Sequence, residues 1–151
     1  GSRMSRIARI PSGEAMLAAR AAARQLAADE RVQLVYWFGS SVDPQRDWVG
    51  DVDLAVWTDP VLSFDELLRI RADLVLSAGV VIDLISLNTA PVVLAREIAD
   101  TGRCLFARNP EIEGYFVSRA RTRYWDFKPY LDEQWRLTAA RLEERRRGPA
   151  A

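Results

Sequence analysis

Residues 32–57, VQLVYWFGSSVDPQRDWVGDVDLAVW, decide the fold of this chain, because two apolar stretches flank a polar segment. The first stretch, 32–38, is β-branched and aromatic and ends at a glycine, which predicts a strand. Residues 41–50 contain the Asp, Pro, Gln, Arg and Gly that are typical of a loop, with room for one helical turn. Residues 51–57 alternate between polar and apolar side chains and predict a second strand. The stretch therefore forms a strand–loop–strand unit.

The rest of the chain extends this unit into a layered domain. Composition and periodicity predict helices over 13–29, 63–79 and 90–101, strands over 80–87 and 103–107, and a helical segment over 111–146. This order predicts an α+β (α/β layered) domain, a mixed β-sheet of about four strands with helices packed on it and a long C-terminal helical tail. We expect the core to span 13–110, and 111–151 to form a C-terminal helical region that packs on the core, on a partner or on both.

Several helix ends carry recognisable signals. Ser12 is the predicted N-cap of the first helix. Ser63 and Glu66 have the spacing of a capping box, and Gly79 has the position of a C-terminal glycine cap. Pro129 lies inside the last helical segment, where we expect a kink or a break because proline lacks the backbone N–H.

Composition excludes several classes of protein. The 151 residues include 21 Lys plus Arg and 21 Asp plus Glu, and this balance argues against a general nucleic-acid binder. Histidine is absent, which excludes a Ser-His-Asp triad and a His-ligated zinc site. Cys104 is the single cysteine, so we expect a buried, small apolar residue and no disulfide framework. No apolar run reaches the ~18 residues of a membrane span.

The start of the chain, Gly-Ser-Arg-Met, is typical of an expression tag. We therefore expect residues 1–12 to be a tag remnant and an N-terminal extension. No signal-peptide pattern follows, and a cytoplasmic location is the expectation.

Three aspartates are the candidate metal ligands. Asp51 and Asp53 are residues i and i+2 of a strand, so they share a face at a separation of roughly 6–7 Å. Asp83 is the single charge within an otherwise apolar strand, where a buried carboxylate needs a cation or a metal. If the two strands are neighbours, the three carboxylates meet, and such oxygen ligands suit Mg²⁺ with nucleotide phosphates. Alternatively, the Asp51/Asp53 pair is simply solvated, and Asp83 is exposed or paired with a distant arginine.

Gly39 and Ser40 are the candidate phosphate contacts. A glycine allows the backbone to approach a ligand closely, and the serine adds a hydroxyl donor. An ordinary turn at the end of a strand is the alternative.

The combination of Gly39-Ser40, ten residues, Asp51-Val52-Asp53 and a later Asp83 resembles the nucleotidyltransferase superfamily of DNA polymerase β. The short chain is most similar to the minimal nucleotidyltransferase (MNT) domains. The similarity covers most of residues 15–140, including the segments 91–107 and 119–137. It implies a polymerase-β-type nucleotidyltransferase fold.

The resemblance also implies a chemistry. Asp51, Asp53 and Asp83 hold Mg²⁺, two ions in all, and are the catalytic residues, while Gly39, Ser40 and Ser41 contact ATP. Asp83 is in addition the candidate base for the acceptor hydroxyl. This sequence departs from the family pattern at Ser41, where an arginine is common. Arg46 is the candidate residue to supply that phosphate contact instead.

Many MNT proteins are MntA-like antitoxins of HEPN/MNT toxin–antitoxin pairs, encoded beside a HEPN-domain ribonuclease toxin. The resemblance implies transfer of AMP from ATP to a tyrosine of that toxin, in a hetero-oligomer and without direct nucleic-acid or membrane binding. Two alternatives remain: a non-catalytic MNT antitoxin that acts by occlusion, and a small-molecule nucleotidyltransferase.

The C-terminal segment contains more aromatic side chains than one helix face needs. Part of the set is expected to pack on the sheet and part to form a partner surface. Its members are Tyr115, Phe116, Tyr124, Trp125, Phe127, Tyr130 and Trp135.

Overall fold

The computed structural model describes residues 9–148, so most of the predicted tag remnant lies outside the described residues. The elements are β1 (Ile10–Pro11), α1 (Ser12–Ala27), β2 (Val32–Phe38), a 3₁₀ turn (Ser40–Val42), β3 (Trp48–Val49), β4 (Val52–Thr58), α2 (Phe64–Ala78), β5 (Ile82–Ser86), α3 (Val92–Thr101), β6 (Arg103–Ala107) and α4 (Pro110–Arg147). The predicted helices and strands are confirmed, with ends displaced by a few residues. None of the described helices is long and apolar enough to cross a membrane.

A mixed four-stranded sheet in the order β5–β4–β2–β6 forms the centre of the fold. Strand β2 pairs antiparallel with both β4 and β6, while β5 pairs parallel with β4. The parallel pair is possible because α2 carries the chain back along the sheet between β4 and β5. In this register Asp53 lies directly opposite Asp83. The prediction that these two strands are neighbours is confirmed.

Each face of the sheet is covered by two helices. Leu54 and Val35 belong to the core under α1 and α2, while Tyr36 and Ala55 belong to the core under α3 and α4. Alternating side chains of a strand enter opposite layers, which gives the α+β arrangement expected from the sequence. Asp53 shares a face with Ala55, at the end of the sheet where Gly39 also lies.

The helix ends follow the sequence signals with one exception. Ser63 and Glu66 form both bonds of the capping box, and Gly79 closes α2 in the left-handed region at φ 70°. Ser12 is the first residue of α1 and not its N-cap, which is Pro11. The short β1–β3 ribbon explains the displaced start, because Pro11 pairs with Trp48 and the N–H of Ser12 donates to the carbonyl of Asp47, so the helix begins directly after the ribbon.

Replacing Ser63 with alanine is expected to destabilise the protein by about 1 kcal/mol, because the hydroxyl that accepts the hydrogen bond from the N–H of Glu66 is lost. Thermal unfolding should show this as a Tm lower by several degrees, and nucleotide binding should not change. Ser77→Ala, at an exposed position of the same helix, is the control and should leave Tm nearly unchanged. Equal melting of the two variants would contradict a stabilising capping box.

Of the predicted kink or break at Pro129, the break is wrong, because helix α4 continues through this residue; the kink stays a prediction. The first part of α4 packs against α3 and the sheet, with Phe116 buried against the ring of Tyr36 at a centroid distance of 5.2 Å. Four of its aromatic side chains are 57–70% exposed: Tyr115, Trp125, Tyr130 and Trp135. The prediction that only part of the aromatic set packs on the core is confirmed.

Candidate active site

Gly39 ends β2 in a conformation that requires glycine. Its φ of 83° lies in the left-handed region, and a Cβ atom would stand 2.5 Å from Oδ2 of Asp53. The carboxylate of Asp53 therefore occupies the space that any side chain at position 39 would fill. Ser40 follows as an exposed residue at the start of the 3₁₀ turn. The turn and the strand β4 thus meet at Asp53.

Asp53 is a half-buried carboxylate in an unfavourable electrostatic environment. Burial, followed by the negative charges of Asp83 and Asp51, raises its pKa to about 6. Asp51 precedes β4 and is exposed. The carboxylates of Asp51 and Asp83 thus lie close enough to act on that of Asp53, which is the condition under which a cation stabilises such a group.

Asp83 differs from its prediction in one respect. Its side chain is 47% exposed, and its Oδ1 lies 3.6 Å from Nε of Arg71. The argument that this carboxylate is buried without a cationic partner is therefore wrong, because Arg71 reaches it from α2. The same Nε donates to the carbonyl of Ile82 at 3.0 Å, which holds the arginine at the edge of β5.

The three predicted metal ligands are of the right chemical type, but their side chains do not converge on one point. Within residues 9–148, no three carboxylate or thiolate side chains converge closely enough to hold a metal ion. The donor chemistry nevertheless fits Mg²⁺, since all three groups are hard oxygen ligands. Asp51 and Asp83 also both raise the pKa of Asp53. Mutual repulsion disfavours their closer approach without a cation.

Ser41, a predicted contact of ATP, is buried and has a structural contact. The residue is 2% exposed, and its Oγ accepts a hydrogen bond of 2.7 Å from Nε1 of Trp37. A buried indole N–H needs such an acceptor, so this hydroxyl fixes the turn to strand β2. Gly39 and Ser40 are exposed and stay the candidate nucleotide contacts of the turn.

Two arginines near the turn differ in their partners. Arg46, the candidate phosphate contact from the sequence, is exposed, and its Nε lies 3.7 Å from Oδ2 of Asp43. Arg103 was not selected from the sequence, yet it lines a cavity of about 330 Å³ together with Gly39. Only the pairing of β6 with β2 brings it there, opposite Trp37. No local motif could have indicated this position.

A partly buried hydrogen bond joins the sheet to α4 behind the site. The phenol of Tyr36 donates to Glu113 of α4 at 3.0 Å, and burial raises the pKa of this tyrosine above its usual range. Cys104 is only partly buried, in contrast to its prediction, because β6 is an edge strand. Burial raises the pKa of its thiol to about 11, so the group stays protonated at neutral pH.

A second cavity, of about 590 Å³, is remote from the carboxylates. Its lining includes Trp57, Asn88 and Ile112. Trp57 lies four residues beyond Asp53 in β4, a distance of about 13 Å along the strand. The two regions are therefore separate.

Comparison with known proteins agrees with this geometry. The family described as "Polymerase beta, Nucleotidyltransferase" matches residues 22–111, which is more than half of the chain and includes the turn and all three aspartates. A comparison with curated proteins gave no match.

Solved structures with a similar fold include toxin–antitoxin complexes. A toxin–antitoxin structure with AMP-PNP has a TM-score of 0.66 and 20% identity, covering 77% of this chain and 98% of its own. The MntA–HepT toxin–antitoxin structure has a TM-score of 0.63 and 19% identity, with coverages of 80% and 98%. A tri-AMPylated Shewanella oneidensis HEPN toxin in complex with MNT antitoxin has a TM-score of 0.64 and 20% identity, with coverages of 80% and 98%.

At such low identity these structures establish a common fold and nothing more. The match over residues 22–111 establishes the family: the chain belongs to the polymerase β nucleotidyltransferases.

Proposed function

We propose that this protein is an antitoxin that transfers AMP from ATP to a tyrosine of a cognate HEPN toxin. The observation that carries the proposal is the register of β4 and β5, which sets Asp53 beside Asp83 directly under the Gly39 turn. Family membership supports nucleotidyl transfer, and the similar toxin–antitoxin structures, one with AMP-PNP and one with a tri-AMPylated toxin, support the nucleotide and the acceptor protein.

Each residue has a role in this reaction. Asp51, Asp53 and Asp83 would hold Mg²⁺, which supplies positive charge for the triphosphate and for the leaving pyrophosphate. The backbone of Gly39 and Ser40 would approach the β- and γ-phosphates, because the missing side chain at position 39 lets the turn pack directly against the carboxylate of Asp53.

In the transfer itself, the tyrosine oxygen bonds to the α-phosphorus while the bond from that phosphorus to the bridging oxygen breaks. The phenolic proton moves to a carboxylate oxygen of Asp83, and pyrophosphate leaves. Catalysis of this kind depends mainly on positioning and electrostatic stabilisation.

The test is incubation with ATP, Mg²⁺ and the product of the adjacent gene, followed by mass spectrometry of that product. We expect the added mass of AMP on a tyrosine, and no addition with the Asp51→Asn/Asp53→Asn variant. Asp73→Asn, which removes an exposed carboxylate from α2, is the control and should transfer at the wild-type rate. Addition of UMP or GMP would retain the reaction type and correct the nucleotide.

Inhibition by direct binding is the second candidate. It is favoured by the exposed aromatic side chains Trp125, Tyr130 and Trp135 of α4, since aromatic residues are enriched in the energetic centres of interfaces. A toxin that remains unmodified but is still inhibited would reject AMP transfer and support occlusion.

A further inference from the structure

The edge of the sheet beside the Gly39 turn contains a small cavity. It has a volume of about 330 Å³, and its wall is formed by the turn and by the start of β6. The lining residues are Gly39, Val42, Asp43, Pro44, Thr101 and Arg103. Arg103 is thus the cation that shares a cavity with the Gly39 turn.

The fold places Arg103 there through close contact between β6 and β2. A Cβ atom on the preceding residue, Gly102, would stand 3.2 Å from the carbonyl oxygen of Trp37 and 2.6 Å from that of Ile98. The absence of a side chain at Gly102 therefore allows β6 to begin directly against the end of β2. In this register Arg103 is opposite Trp37.

The side chain of Trp37 connects Arg103 to the turn. The guanidinium carbon of Arg103 lies 5.7 Å from the centroid of the Trp37 ring, and Nε1 of the same ring donates to Ser41. One indole thus fixes the turn and supports the arginine. A guanidinium over an aromatic ring keeps the N–H groups at its edge available for a planar anion.

Arg103 also differs from its neighbours in its charge environment. Arg46 lies near Asp43, and Arg71 lies near Asp83. Within residues 9–148, Arg103 has no carboxylate within ion-pair distance. Asp43 lines the same cavity as Arg103. Its negative charge is offset by Arg46, which is not among the lining residues.

We propose that Arg103 binds the β- and γ-phosphates of the nucleotide triphosphate held at the Gly39 turn. This inference rests on the proposed function and extends it to the residue that selects a triphosphate over a monophosphate. The guanidinium has the donors and geometry for phosphate oxygens, and its position on an edge strand leaves it open to solvent and ligand.

The experiment compares the binding of AMP-PNP and AMP, each with Mg²⁺, by isothermal titration calorimetry. Arg103→Ala should weaken AMP-PNP binding by about tenfold or more, because hydrogen bonds to charged groups are lost. AMP lacks the phosphates that Arg103 contacts, so its Kd should stay within about twofold. Arg103→Lys should be intermediate, since lysine keeps the charge without the planar fork.

Arg69→Ala is the matched control, because Arg69 is exposed on α2 and the variant loses the same charge. Its Kd values should equal those of the wild type, and circular dichroism should show that all variants are folded. Unchanged AMP-PNP binding by Arg103→Ala, or an equal loss for AMP, would overturn the role of Arg103 and leave the proposed function intact. Absence of nucleotide binding by the wild type would overturn both.

Discussion

Replacing Asp53 with asparagine is expected to reduce AMP transfer by more than about 100-fold. Even groups that only support a metal ligand are worth about 10–100-fold, and Asp53 is proposed as a ligand itself. It is also the carboxylate against which the Gly39 turn is packed. The measurement is the rate of AMP addition to the toxin, followed by mass spectrometry.

The same substitution is expected to stabilise the metal-free protein at neutral pH. The folded-state pKa of Asp53 is about 6, against an ordinary value of 3.8. A raised carboxyl pKa means that the folded state binds the proton more tightly, so stability decreases as pH rises from about 4 to 6 and stays reduced above 6. Asparagine removes this cost, which we place at about 1 kcal/mol after allowance for solvent screening at a half-buried site.

The measurement is urea unfolding of the wild type and of Asp53→Asn in EDTA, at pH 4 and pH 7.5. It checks the stabilisation by asparagine and the dependence of that stabilisation on pH. The two proteins should have similar stability at pH 4, and the variant should be more stable at pH 7.5. Asp73→Asn should change neither activity nor this pH dependence. A variant that is less stable than the wild type at pH 7.5 would contradict the electrostatic cost at Asp53.

Replacing Gly39 with alanine is expected to reduce activity by about 100-fold, because the new methyl group occupies the place of the Asp53 carboxylate. A displacement of a reacting group by about 1 Å is enough for a loss of this size. The positive φ at position 39 also costs about 1–2 kcal/mol in a residue with a Cβ. Activity and the urea midpoint should both decrease.

Gly79→Ala separates these two effects. Gly79 has a φ of 70°, but no atom lies within 4 Å of the place of its Cβ. This variant should lose similar stability and keep its activity. If Gly79→Ala loses as much activity as Gly39→Ala, the effect is one of general stability and not of contact with Asp53.

The sequence was sufficient for the helices and for the strands of the four-stranded sheet, because those signals are local, but it did not predict the short β1–β3 ribbon. The alternation of residues 51–57 assigned the face of Asp53, and the capping box at Ser63 assigned the start of α2. The predicted meeting of the aspartates required β4 and β5 to be neighbours, and the parallel register of the two strands confirms that they are.

Contacts between distant parts of the chain could not be predicted from the sequence. The burial of Ser41 depends on the indole of Trp37, and the partner of Asp83 comes from a helix. Arg103 is near Gly39 only because β6 adds to the edge of the sheet. Such polar residues follow no periodic pattern in the sequence, because the packing of distant elements determines their contact partners.

Helix α4 has a consequence for the way this protein opens in solution. The helix is 38 residues long, about 57 Å, and its buried residues are Phe116 and Ala120, both in its first third. Pro129 has no N–H to donate to the carbonyl of Trp125, so one backbone bond between the two halves is missing. We therefore expect residues 130–147, about five turns, to exchange their amide hydrogens as a separate unit, with fraying from the C-terminus that ends near Pro129 before it reaches the packed domain.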